Sequence, residues 1–90
     1  MNIYWIHLSH TTYVTLLCKA LLYEQRNLSE FGVQILSRQE VEYNDYMRKI
    51  DIPQHIKNEF LSLQPSNKVL CRVFDPGKFI FMKLKYSINA

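Results

Sequence analysis

Lys68-Val-Leu-Cys-Arg-Val-Phe-Asp75, Pro76-Gly77 and Lys78-Phe-Ile-Phe-Met-Lys-Leu-Lys-Tyr86 form the stretch on which the fold turns. Two runs rich in β-branched and aromatic residues flank a Pro-Gly pair, the pattern of a β-hairpin. With an even-numbered loop, Val69, Cys71, Val73, Ile80, Met82, Leu84 and Tyr86 share one wholly apolar side. The other side collects Leu70, Arg72, Phe74, Phe79, Phe81, Lys83 and Lys85, rings mixed with positive charge. Such a side can be surface, second core or binding platform.

Outward from the hairpin, Ile3, Trp5 and His7 alternate with Tyr4, Ile6 and Leu8, which predicts a strand. Large apolar groups on both sides place it in the middle of a sheet. Ser9, Thr11 and Thr12 supply hydroxyls to cap a helix over 13–26, because a short side-chain oxygen satisfies the free N–H groups of a first turn. Val14, Leu17, Cys18 and Leu21 mark one stripe of that helix and Tyr13, Leu16, Ala20 and Tyr23 a second, so it reads as deeply packed. Asn27 tolerates left-handed backbone and is the expected stop.

Phe31, Val33 and Ile35 alternate with Gly32, Gln34 and Leu36, which favours a strand over 29–36, with a short helix capped at Ser29 as the alternative. Ser37-Arg-Gln-Glu40 fits the capping box that opens a helix. Tyr43, Tyr46, Met47 and Ile50 continue it at helical spacing, with Asp45 and Lys49 as an i, i+4 pair, up to Pro53. Pro53 suits the first turn of the next helix, whose stripe is Ile56, Phe60 and Leu63 before the loop Gln64-Pro65-Ser66-Asn67. The order β, α, β, α, α, β, β predicts an α+β fold. In it a small, mostly antiparallel sheet ends in a C-terminal β-hairpin, with about three helices on one face.

At 90 residues the chain is expected to be one globular domain, residues 1–90, with a small core. Hydrophobic residues make up 48% and charged residues 21%, outside the range of disorder. The net charge of +3 is mild, but Lys68, Arg72, Lys78, Lys83 and Lys85 cluster against Asp75 alone. Such a cluster attracts phosphate or an acidic surface, and lysines on edge strands also block unwanted pairing. Cys18 and Cys71 sit in apolar patterns and read as reduced, buried thiols of a soluble cytoplasmic protein. Met1 to Leu8 lacks the basic start and cleavage site of a signal peptide, and Tyr13 to Tyr23 is too short to span a membrane.

No catalytic, cofactor or metal motif emerges. His7, His10, His55, Cys18 and Cys71 are zinc-ligand types, but only His7 and His10 stand three apart and each cysteine lies inside an element. A nucleophile with a base and an oxyanion site is not indicated. Ile35 to Tyr43 followed by Lys57-Asn-Glu-Phe-Leu61 resembles the segment before the catalytic helix of phosphopantetheinyl transferases. The family's acidic metal-binding pair and Lys-Glu-Ala helix are missing here, so no activity is carried over.

The leading expectation is a small non-enzymatic interaction protein, an inhibitor or adaptor of the size carried by viruses and mobile elements. Its partner would be a protein or nucleoprotein complex, and pairing with a second copy is allowed. Arg72, Phe74, Phe79, Phe81, Lys83 and Lys85 are the expected partner-binding residues, joined by Tyr43 and Tyr46. The alternative is an RNA- or DNA-binding module, either stacking bases on the hairpin phenylalanines or acting as a winged helix with Pro53 to Leu63 in the groove. A nuclease using His7 or His10 comes third.

Overall fold

A computed structural model describes residues 3–47, 50–63 and 67–89. The expected Asp45–Lys49 pair, the Met47 side chain and all but Asn67 of the Gln64-Pro65-Ser66-Asn67 loop lie outside the described residues.

Strand β1 (Tyr4–Ser9) leads into α1 (His10–Cys18), with Ser9 as the cap, its hydroxyl accepting from Thr12 N–H at 3.1 Å. The helix continues as a wider π-helical segment, Lys19–Tyr23, and stops where Gln25 turns left-handed (φ 54°), two residues before the expected Asn27. Asn27 instead starts a 3-10 turn, Leu28–Phe31, in which the Glu30 carboxylate accepts from Asn27 N–H at 2.9 Å. Residues 29–36 therefore divide: the turn comes first, then β2 (Val33–Leu36).

The Ser37 capping box is formed as expected, with Ser37 N–H donating to Glu40 (3.1 Å) and Glu40 N–H to the Ser37 hydroxyl (3.2 Å). The helix it opens, α2 (Arg38–Glu42), is short; α3 (Asn44–Met47) follows after Tyr43. Helix α4 (Gln54–Leu61) begins after Pro53 and buries Phe60 while half-burying Ile56, as its spacing predicts. Arg38 fastens α2 to the end of α4 through the Leu61 carbonyl at 2.8 Å.

Strand β3 (Lys68–Val73) forms as expected, but the second arm of the hairpin does not exist. Pro76–Tyr86 is an α-helix, α5. Asp75 is its N-cap, accepting from Lys78 N–H at 3.3 Å, and Pro76 occupies the first helical position, where its missing N–H costs nothing. The helix ends in a Schellman arrangement: Ser87 is left-handed (φ 53°), and Ile88 N–H reaches the Lys83 carbonyl at 2.9 Å.

The sheet is antiparallel with order β1-β3-β2, so β3 is central and β1, expected in the middle, is an edge. Helices cover both faces rather than one. Leu8, Val33, Val69, Cys71 and Val73 pack with Leu16 of α1, Ala20 of the π segment, and Phe79 and Met82 of α5. On the other face Leu36 and Leu70 pack with Val41 of α2 and Phe60 of α4. Of the three expected helices the first and third form as α1 and α4, the one opened at Ser37 is divided into α2 and α3 among the described residues, and α5 is a helix where a strand was expected.

Candidate functional site: the outer face of α5

Because α5 replaces a strand, the expected binding residues separate. Phe79 is completely buried in the core, and Lys83 Nζ lies 5.0 Å above its ring. Arg72 stays on the sheet, in register between Trp5 and Gln34, on the face opposite α5. Its guanidinium lies 5.7 Å from the ring of half-buried Phe74. Phe81, Lys83 and Lys85 are carried on α5, on the other side of the sheet from Arg72. No single basic aromatic platform is made. The winged-helix geometry fails too, since Pro76-Gly77 starts a helix instead of a wing and Lys57, the basic residue of α4, is buried.

What the sequence did not reveal is a helix that is apolar on both sides. One residue step advances a helix by about 100°, so Phe79, Met82 and Tyr86 turn inward while Ile80, Phe81 and Leu84 share the opposite arc. Ile80 is 47%, Phe81 61% and Leu84 76% exposed. Lys78 and Lys85 border this ridge on one flank and Lys83 on the other. An open groove of about 440 Å³ runs beside Phe81, floored by Phe31 and edged by Glu24, Arg26 and Glu30. A second, of about 490 Å³, lies between Ile80, Leu84 and Ile88. The helical spacing 79, 82, 86 was the available signal.

The ridge is held in place by a polar clasp. Glu24, just past the π segment, accepts from Tyr86 Oη at 2.6 Å and from Lys85 Nζ at 2.8 Å. These bonds, that from Lys85 foremost, hold the Glu24 carboxyl below its usual range, and Glu24 raises both Lys85 and Tyr86. Lys19 Nζ adds a cation–π contact, 4.5 Å from the Tyr23 ring.

Tyr43 and Tyr46 are exposed, 54% and 85%, with ring centroids 6.3 Å apart, and they lie with α2 and α3 on the side of the sheet away from α5. His7 packs 5.7 Å from the Phe60 ring, and His10 lies 6.0 Å from Tyr13. Among the described residues no three His, Cys, Asp or Glu side chains come close enough to share a metal ion. No helix among them is long and apolar enough to cross a membrane.

The two cysteines differ. Cys71 is buried, and desolvation pushes its thiol up to about 12, whereas Cys18 is exposed, contrary to the sequence reading. A thiol-specific chromogenic reagent is therefore expected to titrate Cys18 alone in the native protein and both cysteines in denaturant. Equal native reactivity of the two would mean that Cys71 is not in the core.

Comparison of the chain with protein-family models, with curated proteins and with solved structures finds no match.

Proposed function

We propose that this chain is a small non-enzymatic interaction protein, an inhibitor or adaptor, that docks on a larger protein partner through the outer face of α5. The observation that carries the reading is the ridge of Ile80, Phe81 and Leu84. Three large apolar side chains stand exposed together on one helix face, and a face of this kind, rimmed by charge, is the usual form of a protein-docking helix. The lysine borders at 78, 83 and 85 suit a groove with an acidic rim.

Nucleic acid is the weaker reading. Glu24 engages Lys85, and Glu24 and Glu30 edge the groove beside Phe81, so a phosphate chain laid along the ridge meets carboxylates on that flank.

Affinity capture from the native host, with the wild type and the Phe81→Glu, Leu84→Glu double variant in parallel, tests the proposal. Expected is a stoichiometric protein partner whose dissociation constant rises roughly thirtyfold in the variant, the scale of a hot-spot loss of about 2 kcal/mol. Both positions are exposed, so the variant should keep its fold. A partner held equally by both forms would overturn the assignment of the face. Nuclease-sensitive capture that weakens steeply with salt would overturn the protein reading itself.

A further inference from the structure

We propose that the chain self-associates through β1, two copies pairing antiparallel about a twofold axis so that their three-stranded sheets join edge to edge. The proposal is independent of the α5 face. It starts from a mismatch: β1 has the sequence of an interior strand and the position of an outer one. Tyr4, Trp5, Ile6 and His7 alternate between the two faces of the sheet, and all four are only half-buried, because no strand lies beyond β1 among the described residues. Large side chains on both faces of an edge strand find cover when a further strand is added.

Strand β1 itself also carries none of the usual edge markers. Outer strands are commonly short, bulged, or marked by lysine or proline. Strand β1 runs six residues without charge, proline or glycine. The other edge, β2, has four residues, with Gln34 exposed.

The charge distribution selects a second copy as the occupant. Residues 1–18 contain no Asp, Glu, Lys or Arg, although such residues make up 21% of the chain; the first is Lys19. Both β1 and α1, which packs against it, are therefore free of formal charge when His7 and His10 are neutral. A twofold axis sets a surface patch against the same patch of the second copy, so an uncharged patch pairs with itself without repulsion. The α5 ridge is less suited to this, because its lysine borders at 78, 83 and 85 would be set against the same borders of the second copy. An antiparallel β1 pair continues the antiparallel order of the sheet and gives the outward N–H and C=O groups of β1 partners over about 20 Å.

Sedimentation equilibrium of the full chain, with amide hydrogen exchange at two concentrations, tests the proposal. A dimer with a dissociation constant in the micromolar range is expected. His7→Lys sets two extra positive charges within one short ladder and is expected to raise that constant at least tenfold with unchanged far-UV circular dichroism. In the wild type, alternate β1 amides should be protected when concentrated and exchange fast on dilution, a readout that does not depend on the variant folding. A monomer up to about 1 mM would overturn the proposal. So would β1 amides that stay unprotected when concentrated, or a dimer that survives His7→Lys and is dissociated by Phe81→Glu.

Discussion

Phe79→Ala is expected to lower the free energy of unfolding by about 3–5 kcal/mol, the range for removing a fully buried aromatic side chain. Phe79 is completely buried, in the core cluster that joins α5 and the Leu28–Phe31 turn to Val33, Cys71 and Val73 of the sheet. Truncation loses the transfer free energy of the ring and leaves a void that the rigid backbone of β3 fills poorly. A small domain has about 5–15 kcal/mol in total, so the variant should sit near the edge of folding. Phe81→Ala, two residues on, is expected to change stability by no more than about 0.5 kcal/mol, because its ring is 61% exposed. Urea unfolding followed by circular dichroism measures both. The contrast separates the helix from the hairpin, in which Phe79 and Phe81 share one side and would respond alike. A loss below about 1 kcal/mol at Phe79 would mean that α5 does not dock as described.

Most of the local structure was legible where chemistry and spacing agreed. Ser37 and Glu40 announce a helix start by residue type, and the reciprocal bonds are present. Ile56 and Phe60 announce which side of α4 faces the sheet, and Val69, Cys71 and Val73 were correctly grouped on one face of β3. The hairpin failed because Asp75-Pro76-Gly77 admits two readings. Proline sets the φ angle required both by the second residue of a turn and by the first residue of a helix. Phe, Ile and Tyr in 78–86 tip the balance toward strand by propensity, and tertiary packing overrides it: Phe79, Met82 and Tyr86, at i, i+3 and i+7, bury against a sheet that is already three strands wide.

The binding residues were predicted from alternation, so the error in α5 scattered them. Phe81, Lys83 and Lys85 sit on or beside the exposed arc of the helix, whereas Phe79 lies in the core and Arg72 on the far face of the sheet. Cys18 came out exposed for a related reason. Apolar residues span a wide arc of α1, yet only Leu16 and Ala20 among its residues and those of the π segment are fully buried. Edge position was illegible for β1, because sequence reports which side chains want cover and not whether the same chain supplies it.

The second large effect is expected at Gly32, where replacement by alanine should cost about 2–5 kcal/mol, combining left-handed backbone strain with overpacking. Gly32 has φ 76°, and its carbonyl accepts from both Phe74 N–H (2.8 Å) and Asp75 N–H (3.1 Å), so the entry to β2 is bonded to the exit from β3. A Cβ there would meet the Asp75 carbonyl oxygen, with the Asp75 Cβ at 2.5 Å and its carbonyl carbon at 3.0 Å, and two backbone segments cannot both give way cheaply. Displacing Asp75 also loosens the cap of α5, since Asp75 receives Lys78 N–H on its side chain and Phe79 N–H on its carbonyl. The loss at Gly32 should therefore be coupled to that at Phe79, and the double variant should cost less than the two single losses together. Gly77→Ala gives the opposite sign. Its Cβ would meet only Asp75 Oδ1, at an ordinary 3.6 Å, in the first turn of a helix, and alanine there should stabilise by about 0.5–1 kcal/mol. A Pro-Gly hairpin turn would instead place Gly77 at a positive φ and make that alanine destabilising. Thermal or urea unfolding of the two alanine variants thus decides between helix and hairpin by sign alone, and a destabilised Gly77→Ala beside a tolerated Gly32→Ala would remove α5, and with it the exposed ridge, from the structure.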